Sequence, residues 1–121
     1  MNNSKKWKEE NPVYIKLYKC IYRRAYHYRK KNKIDTTISN MLNCSLPDMI
    51  GCSINYLREH IEDKWVQGMT WSNYGTDWEI DHIIPLSHDK SLDGFIRLNH
   101  YTNLQPLWRE ENRKKGNKLL V

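Results

Sequence analysis

The sequence contains no long apolar segment. No run approaches the roughly 18 consecutive apolar residues that a membrane-spanning helix requires. The first residues, MNNSKKWKEE, also lack the apolar core of a secretory signal peptide. We therefore expect neither a membrane protein nor a secreted one, but a chain that works in the cytosol or another reducing compartment.

Cysteine is also scarce. Cys20, Cys44 and Cys52 are odd in number, and no two of them have the spacing of a metal-binding finger. The sequence likewise contains no internal repeat and no low-complexity segment. A disulfide framework and a structural zinc site are therefore not expected.

The composition suits one small globular domain. The chain has 121 residues, of which 39% are apolar and 28% are charged. This length and composition allow one hydrophobic core but not two independent cores. We therefore predict a single domain over residues 1–121.

Charge is distributed unevenly along the chain. Residues 1–40 contain 11 Lys or Arg against three acids, residues 41–104 contain four against nine, and residues 105–121 contain five against two. Basic ends suggest a polyanionic partner such as DNA. An acidic middle would repel phosphates unless a divalent cation neutralised it. The alternative interpretation is a set of solvated faces without a partner.

Residues 1–67 are predicted to form a helical, basic region. Asn11-Pro12 has the form of an N-cap followed by a proline in the first turn. Behind it, apolar residues recur at helical spacing at positions 13, 17, 21 and 25, and tyrosines lie beside them at positions 14, 18, 22 and 26. Such tyrosines either stack on bases or pack in the core, and packing is the favoured interpretation.

Caps and breaks predict further helices in this region. Residues 35–52 suggest short helical turns broken at Pro47 and Gly51. Ser53 is a candidate N-cap for a helix from Ile54 to about Val66. The turn-forming residues 68–77 then predict a loop.

The C-terminal half follows a different pattern. Residues 78–86 are apolar and β-branched, which predicts a strand, and residues 102–107 predict a second strand with Pro106 at an edge. Between them, residues 92–98 predict a short helix capped by Ser91. A last helix has acids in its first turn and bases in its last turn, and Gly116 follows its end. The fold class is therefore α+β, with a helical half packed on a strand–strand–helix core over residues 78–118.

Asp81 and His82 stand together inside the apolar stretch EIDHIIPL. The pair either makes a buried structural hydrogen bond or forms the chemical centre of the protein. Asp81 offers a hard oxygen ligand, and His82 offers a base that works near neutral pH. Asn112, on the last helix, adds an amide oxygen. Asp81 and Asn112 are thus candidate ligands for Mg²⁺, and His82 is a candidate base for an attack of water on a phosphate.

The segments IDHIIPLS and NLQPLWREENRKKGNK, in this order, resemble the HNH endonuclease family and its ββα-metal fold. The resemblance covers residues 78 to about 118, roughly a third of the chain. The preceding stretch IGCSINYLREHIEDKWVQGMTWSNYG is similar to the lead-in of small HNH proteins of phages and prophages. The resemblance implies a hydrolase that cuts DNA with the help of a bound metal ion.

The resemblance also implies a role for each motif residue. Asp81 matches the family's metal-binding aspartate, and His82 matches the general base that activates water. Asn103 matches the central asparagine, which holds the loop between the strands and so aims the base. Asn112 matches the third motif residue, which is a metal ligand.

The sequence departs from the family pattern in two places. The third motif residue is usually His, so Asn112 makes this an HNN variant, and its amide oxygen favours Mg²⁺, with Mn²⁺ as an alternative, over zinc or nickel. The cysteine pairs that hold a structural zinc in many members are absent, and Trp108 and Glu111 stand near their positions. We expect packing by Trp108, or bracing by the basic first helix, to replace the zinc.

Basic residues extend the candidate site. We expect phosphate contacts from the first and last helices, at Arg23, Arg24, Arg113, Lys114, Lys115 and Lys118. His100, just before the second strand, is an accessory candidate. It is either a second ligand or phosphate donor or, as we favour, a structural or substrate-orienting residue.

These features predict a DNA endonuclease with one Mg²⁺ site that nicks one strand per active site. A monomer would nick, and a double-strand break would need a homodimer or a second encounter. If a phage encodes the chain, the expected compartment is the host cytosol. Two alternatives stay open: a non-catalytic DNA-binding module, and an accessory component of a phage packaging complex.

Overall fold

A computed structural model describes residues 12–118. The N-terminal half consists of four helices: α1 (Pro12–Lys31), α2 (Ile38–Leu42), α3 (Leu46–Ile50) and α4 (Ile54–Asp63). The predicted cap of α1, Asn11, lies outside the described residues. No helix within residues 12–118 has the length and apolarity that crossing a bilayer demands.

The three shorter helices of this half each begin at a hydroxyl cap. Thr37, Ser45 and Ser53 accept hydrogen bonds from backbone N–H groups three residues further on, at 3.1, 3.1 and 3.0 Å. The cap predicted at Ser53 is confirmed, and α4 ends earlier than predicted, at Asp63. Pro47 lies in the first turn of α3 rather than at a break, because a missing N–H costs nothing there.

A two-stranded antiparallel sheet begins the C-terminal half. Strand β1 (Trp78–His82) pairs with β2 (Leu104–Trp108) along their full lengths. β1 is shorter than the predicted strand over residues 78–86. Beyond His82 the backbone of Ile84 bonds to the Asn103 side chain instead of to a neighbouring strand, so the strand cannot continue.

Two helices complete this half. Helix α5 (Leu92–Leu98) lies in the connection between the strands, and its predicted cap, Ser91, accepts a hydrogen bond from the Gly94 N–H at 2.9 Å. Helix α6 (Arg109–Lys115) follows β2 directly, with acids in its first turn and bases in its last, and ends at Gly116. Both helices agree with the prediction, and the α+β class is confirmed.

One hydrophobic cluster joins the two halves. Leu17 and Ile21 of α1, Leu57 of α4, Trp78 of β1 and Leu104 of β2 are all fully buried in it. Burying a side chain of this size contributes roughly 1.5–3 kcal/mol. The two-stranded sheet therefore depends on the helical half for much of its stability.

Polar side chains of α1 also connect that helix to the region around β1. Arg24 donates from Nη2 to the Ile80 carbonyl oxygen at 3.0 Å, and Lys16 donates from Nζ to the Trp71 carbonyl oxygen at 3.0 Å. Helix α1 thus lies beside β1 and brings Arg24 next to the Asp81-His82 segment.

The tyrosines of α1 are more exposed than predicted. Tyr18, Tyr22 and Tyr26 are 39%, 44% and 38% exposed, whereas Leu17 and Ile21, each one position earlier in the chain, are fully buried. The core packing predicted for these three tyrosines is wrong. The stripe that contains Leu17 and Ile21 is buried, and the neighbouring stripe is open to solvent at Tyr18, Tyr22 and Tyr26, whereas Tyr14 packs against the core.

Candidate active site

Asp81 is buried between β1 and α6. Its side chain is 6% exposed, and both of its oxygens accept hydrogen bonds. Oδ1 accepts from Lys115 Nζ at 3.1 Å, and Oδ2 accepts from Gln105 Nε2 at 2.9 Å. The Lys115 ammonium also donates to the His82 carbonyl oxygen at 2.6 Å. The negative charge of Asp81 is therefore balanced within the fold.

Lys115 differs from the other basic residues predicted to contact DNA in the last helix. It is 3% exposed, because α6 turns it towards Asp81, so a phosphate contact from Lys115 is a prediction that the structure corrects. Arg113, Lys114 and Lys118 are exposed, and Lys114 lies 3.6 Å from Glu110 in a surface ion pair. These three remain predicted phosphate contacts.

Asn112 lies one turn before Lys115, and Glu79 is its partner. Asn112 Nδ2 donates to Glu79 Oε1 at 3.0 Å, and Glu79 Oε2 lies 3.8 Å from Arg109 Nε. Glu79 and Asp81 are two residues apart in β1 and therefore share the face that α6 covers. The structure thus brings Asn112 to the face that carries Asp81, with Glu79 as its direct partner.

Two side chains on this face, Asp81 and Asn112, offer oxygen atoms of the type that a hard divalent cation prefers. Mg²⁺ prefers oxygen ligands and keeps several waters, and Asp81 supplies a buried carboxylate. Asn112 uses its nitrogen for Glu79, which leaves its oxygen for a cation. The Lys115 ammonium shows that a positive charge is already stabilised at Asp81 Oδ1. Mg²⁺ could bind this oxygen only if Lys115 moved away from it. Among residues 12–118 no three His, Cys, Asp or Glu side chains cluster as metal ligands, so water would complete the coordination.

His82 is oriented by Asn99, a residue that no sequence pattern had indicated. His82 Nε2 lies 2.8 Å from Asn99 Oδ1. Asn99 is fully buried, and its Nδ2 donates to the Phe95 carbonyl oxygen at 2.8 Å, which assigns the amide orientation. Because Asn99 Oδ1 can only accept, His82 Nε2 carries the ring proton. The lone pair of the neutral imidazole then lies on Nδ1.

The environment of His82 disfavours a positive charge on its ring. Burial is the largest cause, the charges of Arg24 and Lys115 act in the same direction, and the hydrogen bond to Asn99 opposes them. Together these influences lower the pKa of His82 from 6.5 to about 3. The imidazole is therefore neutral at physiological pH and able to accept a proton.

Arg24 reaches the neighbourhood of His82 from α1. Its Nη2 is bonded to the Ile80 carbonyl oxygen, while its Nη1 is buried and has no hydrogen-bond partner within the described part of the chain. An unpartnered buried donor is destabilising and is satisfied when an acceptor enters. The neighbouring Arg23 is exposed on the outer side of α1. Arg24 and Arg23 therefore both remain predicted phosphate contacts, in different surroundings.

Asp81 and His82 have separate partners, although they are neighbours in the chain. β1 ends at His82, and the two side chains leave the strand in different directions. Asp81 bonds to α6 and β2, while His82 bonds to Asn99 at the end of α5. Within residues 12–118 no hydrogen bond joins the Asp81 carboxylate to the His82 ring, so the pair is not a mutual core hydrogen bond.

Asn103 holds the turn that follows β1. Its Oδ1 accepts from the Ile84 N–H at 2.8 Å, and its Nδ2 donates to the Ile84 and Leu98 carbonyl oxygens at 3.0 and 2.8 Å. Its backbone oxygen accepts from the Ile83 N–H at 2.9 Å. These bonds tie the end of β1 to the end of α5, and the role of Asn103 in aiming His82 stays a prediction.

His100 has structural contacts. Its Nδ1 lies 2.8 Å from Thr102 Oγ1 in the turn before β2. Its ring packs so closely on Gly51 that a Cβ at that position would collide with it. The favoured role of His100, as a structural or substrate-orienting residue, stays a prediction, as does the alternative of a second ligand or phosphate donor.

Comparisons with known proteins found two similar sequences, neither of which has an assigned activity. No family model matches the sequence, and no solved structure matches the chain. Uncharacterized protein L426 of Acanthamoeba polyphaga mimivirus is 31% identical over 108 residues, which cover 88% of this chain and 44% of the relative. Uncharacterized protein L246 of the same virus is 26% identical over 84 residues, which cover 68% and 37%. The chain thus spans less than half the length of each of these two relatives.

Proposed function

We propose that this protein is a metal-dependent DNA endonuclease with His82 as its general base. The observation that carries the proposal is the state of His82, a neutral and oriented imidazole at the end of β1. Beside it lie the partly unsatisfied guanidinium of Arg24 and the carboxylate face of Asp81. The order of the two strands and α6, and the resemblance of the motif residues to the HNH family, support the same proposal.

His82 would take the proton of the attacking water at Nδ1. Asn99 holds the ring proton on Nε2, so the Nδ1 lone pair is the basic atom. The low pKa keeps this atom unprotonated in the free protein. An incoming phosphate would offset the charges of Arg24 and Lys115 and so raise the pKa of His82. Substrate binding would therefore make a weak base stronger.

The remaining residues would position the DNA. Arg24 would donate from Nη1 to an oxygen of the scissile phosphate, where the developing charge is largest. Asn103 would keep the turn after β1 in place and would thereby maintain the orientation of the His82 ring. The exposed residues Arg113 and Lys114 would contact phosphates on either side of the cut.

Asp81 and Asn112 would hold the metal ion, Mg²⁺ or alternatively Mn²⁺. A bound ion supplies stabilisation of negative charge on the phosphate and the leaving oxygen. Lys115 would have to release Asp81 Oδ1 when the ion binds. The expected products carry 5′-phosphate and 3′-hydroxyl ends. One site cuts one strand, so a monomer nicks and a homodimer would be needed to break both strands together.

A plasmid assay tests the proposal. The full chain with Mg²⁺ should convert supercoiled plasmid to nicked circles, and a chelator should stop the conversion. His82→Ala should lower nicking by about 100-fold or more, because a general base contributes about that much, while plasmid binding stays. His88→Ala is the matched control, since His88 is an exposed histidine bonded to the Asn117 carbonyl oxygen. Equal nicking by wild type and His82→Ala would show that the mechanism is wrong.

One observation favours a second candidate function, that of a non-catalytic DNA-binding module. Lys115 already neutralises Asp81, as expected where no metal ion binds. Such a module would retard plasmid in a gel without nicking it, with Mg²⁺ or with Mn²⁺. A role as an accessory component of a phage packaging complex also remains a prediction, in which the acidic middle region would contact another protein.

The setting of the activity is part of the proposal. Both relatives are viral, and DNA in the cytosol of an infected cell would be within reach of a nuclease encoded by a virus. The predicted phage or prophage source is a narrower statement than these relatives support.

A further inference from the structure

Three exposed tyrosines lie one turn apart along the outer side of α1 and are called here the tyrosine ridge: Tyr18, Tyr22 and Tyr26. They are 39%, 44% and 38% exposed. The Tyr18 and Tyr22 rings lie 6.3 Å apart with an angle of 17° between their planes, and Tyr14 continues the stack at 6.2 Å from Tyr18. Helical spacing of four residues produces this parallel arrangement, which presents aromatic rings to solvent.

Positive charge accompanies the ridge along its whole length. Helix α1 contains seven Lys or Arg and no acid. A shallow groove of about 320 Å³ is lined by the three ridge tyrosines with Lys19 and Arg23, and Lys30 Nζ lies 5.9 Å from the centre of the Tyr26 ring. Within the described residues, Lys19, Arg23 and Lys30 form no ion pair with an acid. The ridge therefore offers open rings beside uncompensated cations.

This combination selects one kind of polyanion. Phosphates satisfy the cations, and unpaired bases offer flat faces on which tyrosine rings stack. In duplex DNA the base faces are covered by their neighbours, so a duplex would engage the cations and leave the rings unused. An acidic protein surface would leave the rings unused in the same way.

We propose that the tyrosine ridge binds single-stranded DNA, so that the substrate of the nuclease contains an unpaired segment. The choice of DNA rests on the proposed function. The ridge shares its helix with Arg24, which bonds to the Ile80 carbonyl oxygen in β1 on the side of α1 that faces the candidate active site. Successive helical positions are about 100° apart, so Tyr22 and Tyr26, two residues before and after Arg24, lie on the opposite side of the same helix. A single strand on the ridge and a cleavable phosphate near His82 would then be held by the same element.

Binding without metal tests the ridge separately from catalysis. Fluorescence anisotropy in EDTA measures the affinity of the full chain for two labelled DNAs. One is an oligothymidylate of about 20 nucleotides, and the other is a duplex of about the same length. Wild type should bind the single strand more tightly. Tyr22→Ala should weaken that binding roughly tenfold, because it removes a ring on which one base stacks, and should change duplex binding less than about twofold. Tyr22→Phe keeps the ring and should bind like wild type.

Two controls sharpen the measurement. Tyr56→Ala removes a tyrosine that is 50% exposed on α4, away from the ridge, and should leave single-strand binding unchanged. Arg23→Gln should weaken binding of the single strand and of the duplex alike and should reduce the salt dependence of both. Circular dichroism confirms that each variant is folded.

The outcomes separate this inference from the proposed function. Equal affinity of wild type for single strand and duplex, or unchanged single-strand binding in Tyr22→Ala, overturns the inference whether or not plasmid is nicked. Loss of single-strand binding in Tyr22→Ala but not in Tyr56→Ala supports it, even if wild type nicks no plasmid and the proposed function fails.

Discussion

The imidazole of His82 lies where its charged form is disfavoured, by burial first and by Arg24 and Lys115 in addition. The pKa in the folded state, about 3, is below the 6.5 of an unfolded histidine. As pH falls below 6.5 the unfolded state therefore binds a proton that the folded state refuses. The contribution of neutral His82 to the unfolding free energy is therefore complete above pH 6.5 and is lost as pH falls towards 3.

We predict that the metal-free protein loses about 2 kcal/mol of unfolding free energy between pH 7 and pH 5 through His82 alone. Urea unfolding in EDTA at several pH values measures it. His82→Ala should show a much flatter profile over this range, and His88→Ala should keep the wild-type slope. A wild-type profile as flat as that of His82→Ala would mean that the imidazole is solvated rather than buried.

The Asp81–Lys115 pair is the second feature decided by single side chains. Both groups are almost fully buried, and each is the other's countercharge. Removing one partner of a buried pair leaves the other charge uncompensated, which costs about 3–5 kcal/mol, whereas removing both costs less. The pair therefore matters for stability mainly because either charge alone would be buried without a countercharge, and less because of the net attraction between the two.

We predict that Lys115→Met lowers the unfolding free energy by about 3 kcal/mol and that Mg²⁺ restores part of the loss. The double variant Asp81→Asn with Lys115→Met should be less destabilised than the sum of the single variants and should not respond to Mg²⁺. Thermal unfolding with and without Mg²⁺ measures both effects. An absence of any Mg²⁺ effect on Lys115→Met would contradict the assignment of Asp81 as a metal ligand.

At the scale of elements, the connection between β1 and β2 is organised by one side chain. Asn103 makes three hydrogen bonds that join Ile84 after β1 to Leu98 at the end of α5. Since Asn99, which orients His82, also follows α5, the same bonds hold the general base and its orienting residue in register.

We predict that Asn103→Ala destabilises the protein by about 2 kcal/mol, because it removes three hydrogen bonds to backbone groups, of which the one to the Leu98 carbonyl oxygen is partly buried. It should also reduce plasmid nicking by more than the unfolded fraction explains, because the His82 ring is no longer held in its orientation. Asn40→Ala, at an exposed asparagine in α2 that bonds to Thr36, is the control and should affect neither property. Nicking that falls only in proportion to the unfolded fraction would limit Asn103 to a structural role.

Helix α6 shows how an element divides the roles of similar residues. Its basic last turn spans three consecutive positions, of which Arg113 and Lys114 are exposed and Lys115 is buried. Successive helical positions are about 100° apart around the axis, so one of the three faces β1. The charge pattern alone therefore overestimates the number of phosphate contacts from this helix.

At the scale of the whole molecule, the sheet and the helices share one core. Leu17 of α1 is fully buried in the cluster that contains Trp78 and Leu104 from the sheet. A two-stranded sheet is at best marginally stable by itself, so the C-terminal core should not survive the loss of α1.

We predict that Leu17→Ala lowers the unfolding free energy by about 2–5 kcal/mol and that both halves still unfold together. Far-ultraviolet circular dichroism, which reports the helices, and tryptophan fluorescence, which is dominated by the sheet and its surroundings, should give the same transition. Two separate transitions would show that the halves are independent domains and that the shared core is a weak contact.

The elements that could be predicted closely are those specified by neighbouring residues. The caps at Ser53 and Ser91, the buried stripe of α1 and the polarity of α6 all act over a few positions, so the sequence shows them directly. The length of β1 was overestimated because its end depends on Asn103, about 20 residues further along the chain.

Local chemistry thus determined the order of the helices and strands and the candidate residues Asp81, His82 and Asn112, while Asn103 became a candidate only through the resemblance to the HNH family. Tertiary structure alone decided that Lys115 is a buried countercharge, that Asn99 orients His82 and that Tyr18, Tyr22 and Tyr26 stay open to solvent. The reason is physical. Whether a side chain is desolvated depends on which distant surfaces cover it, and burial sets both the pKa of His82 and the pairing of Asp81.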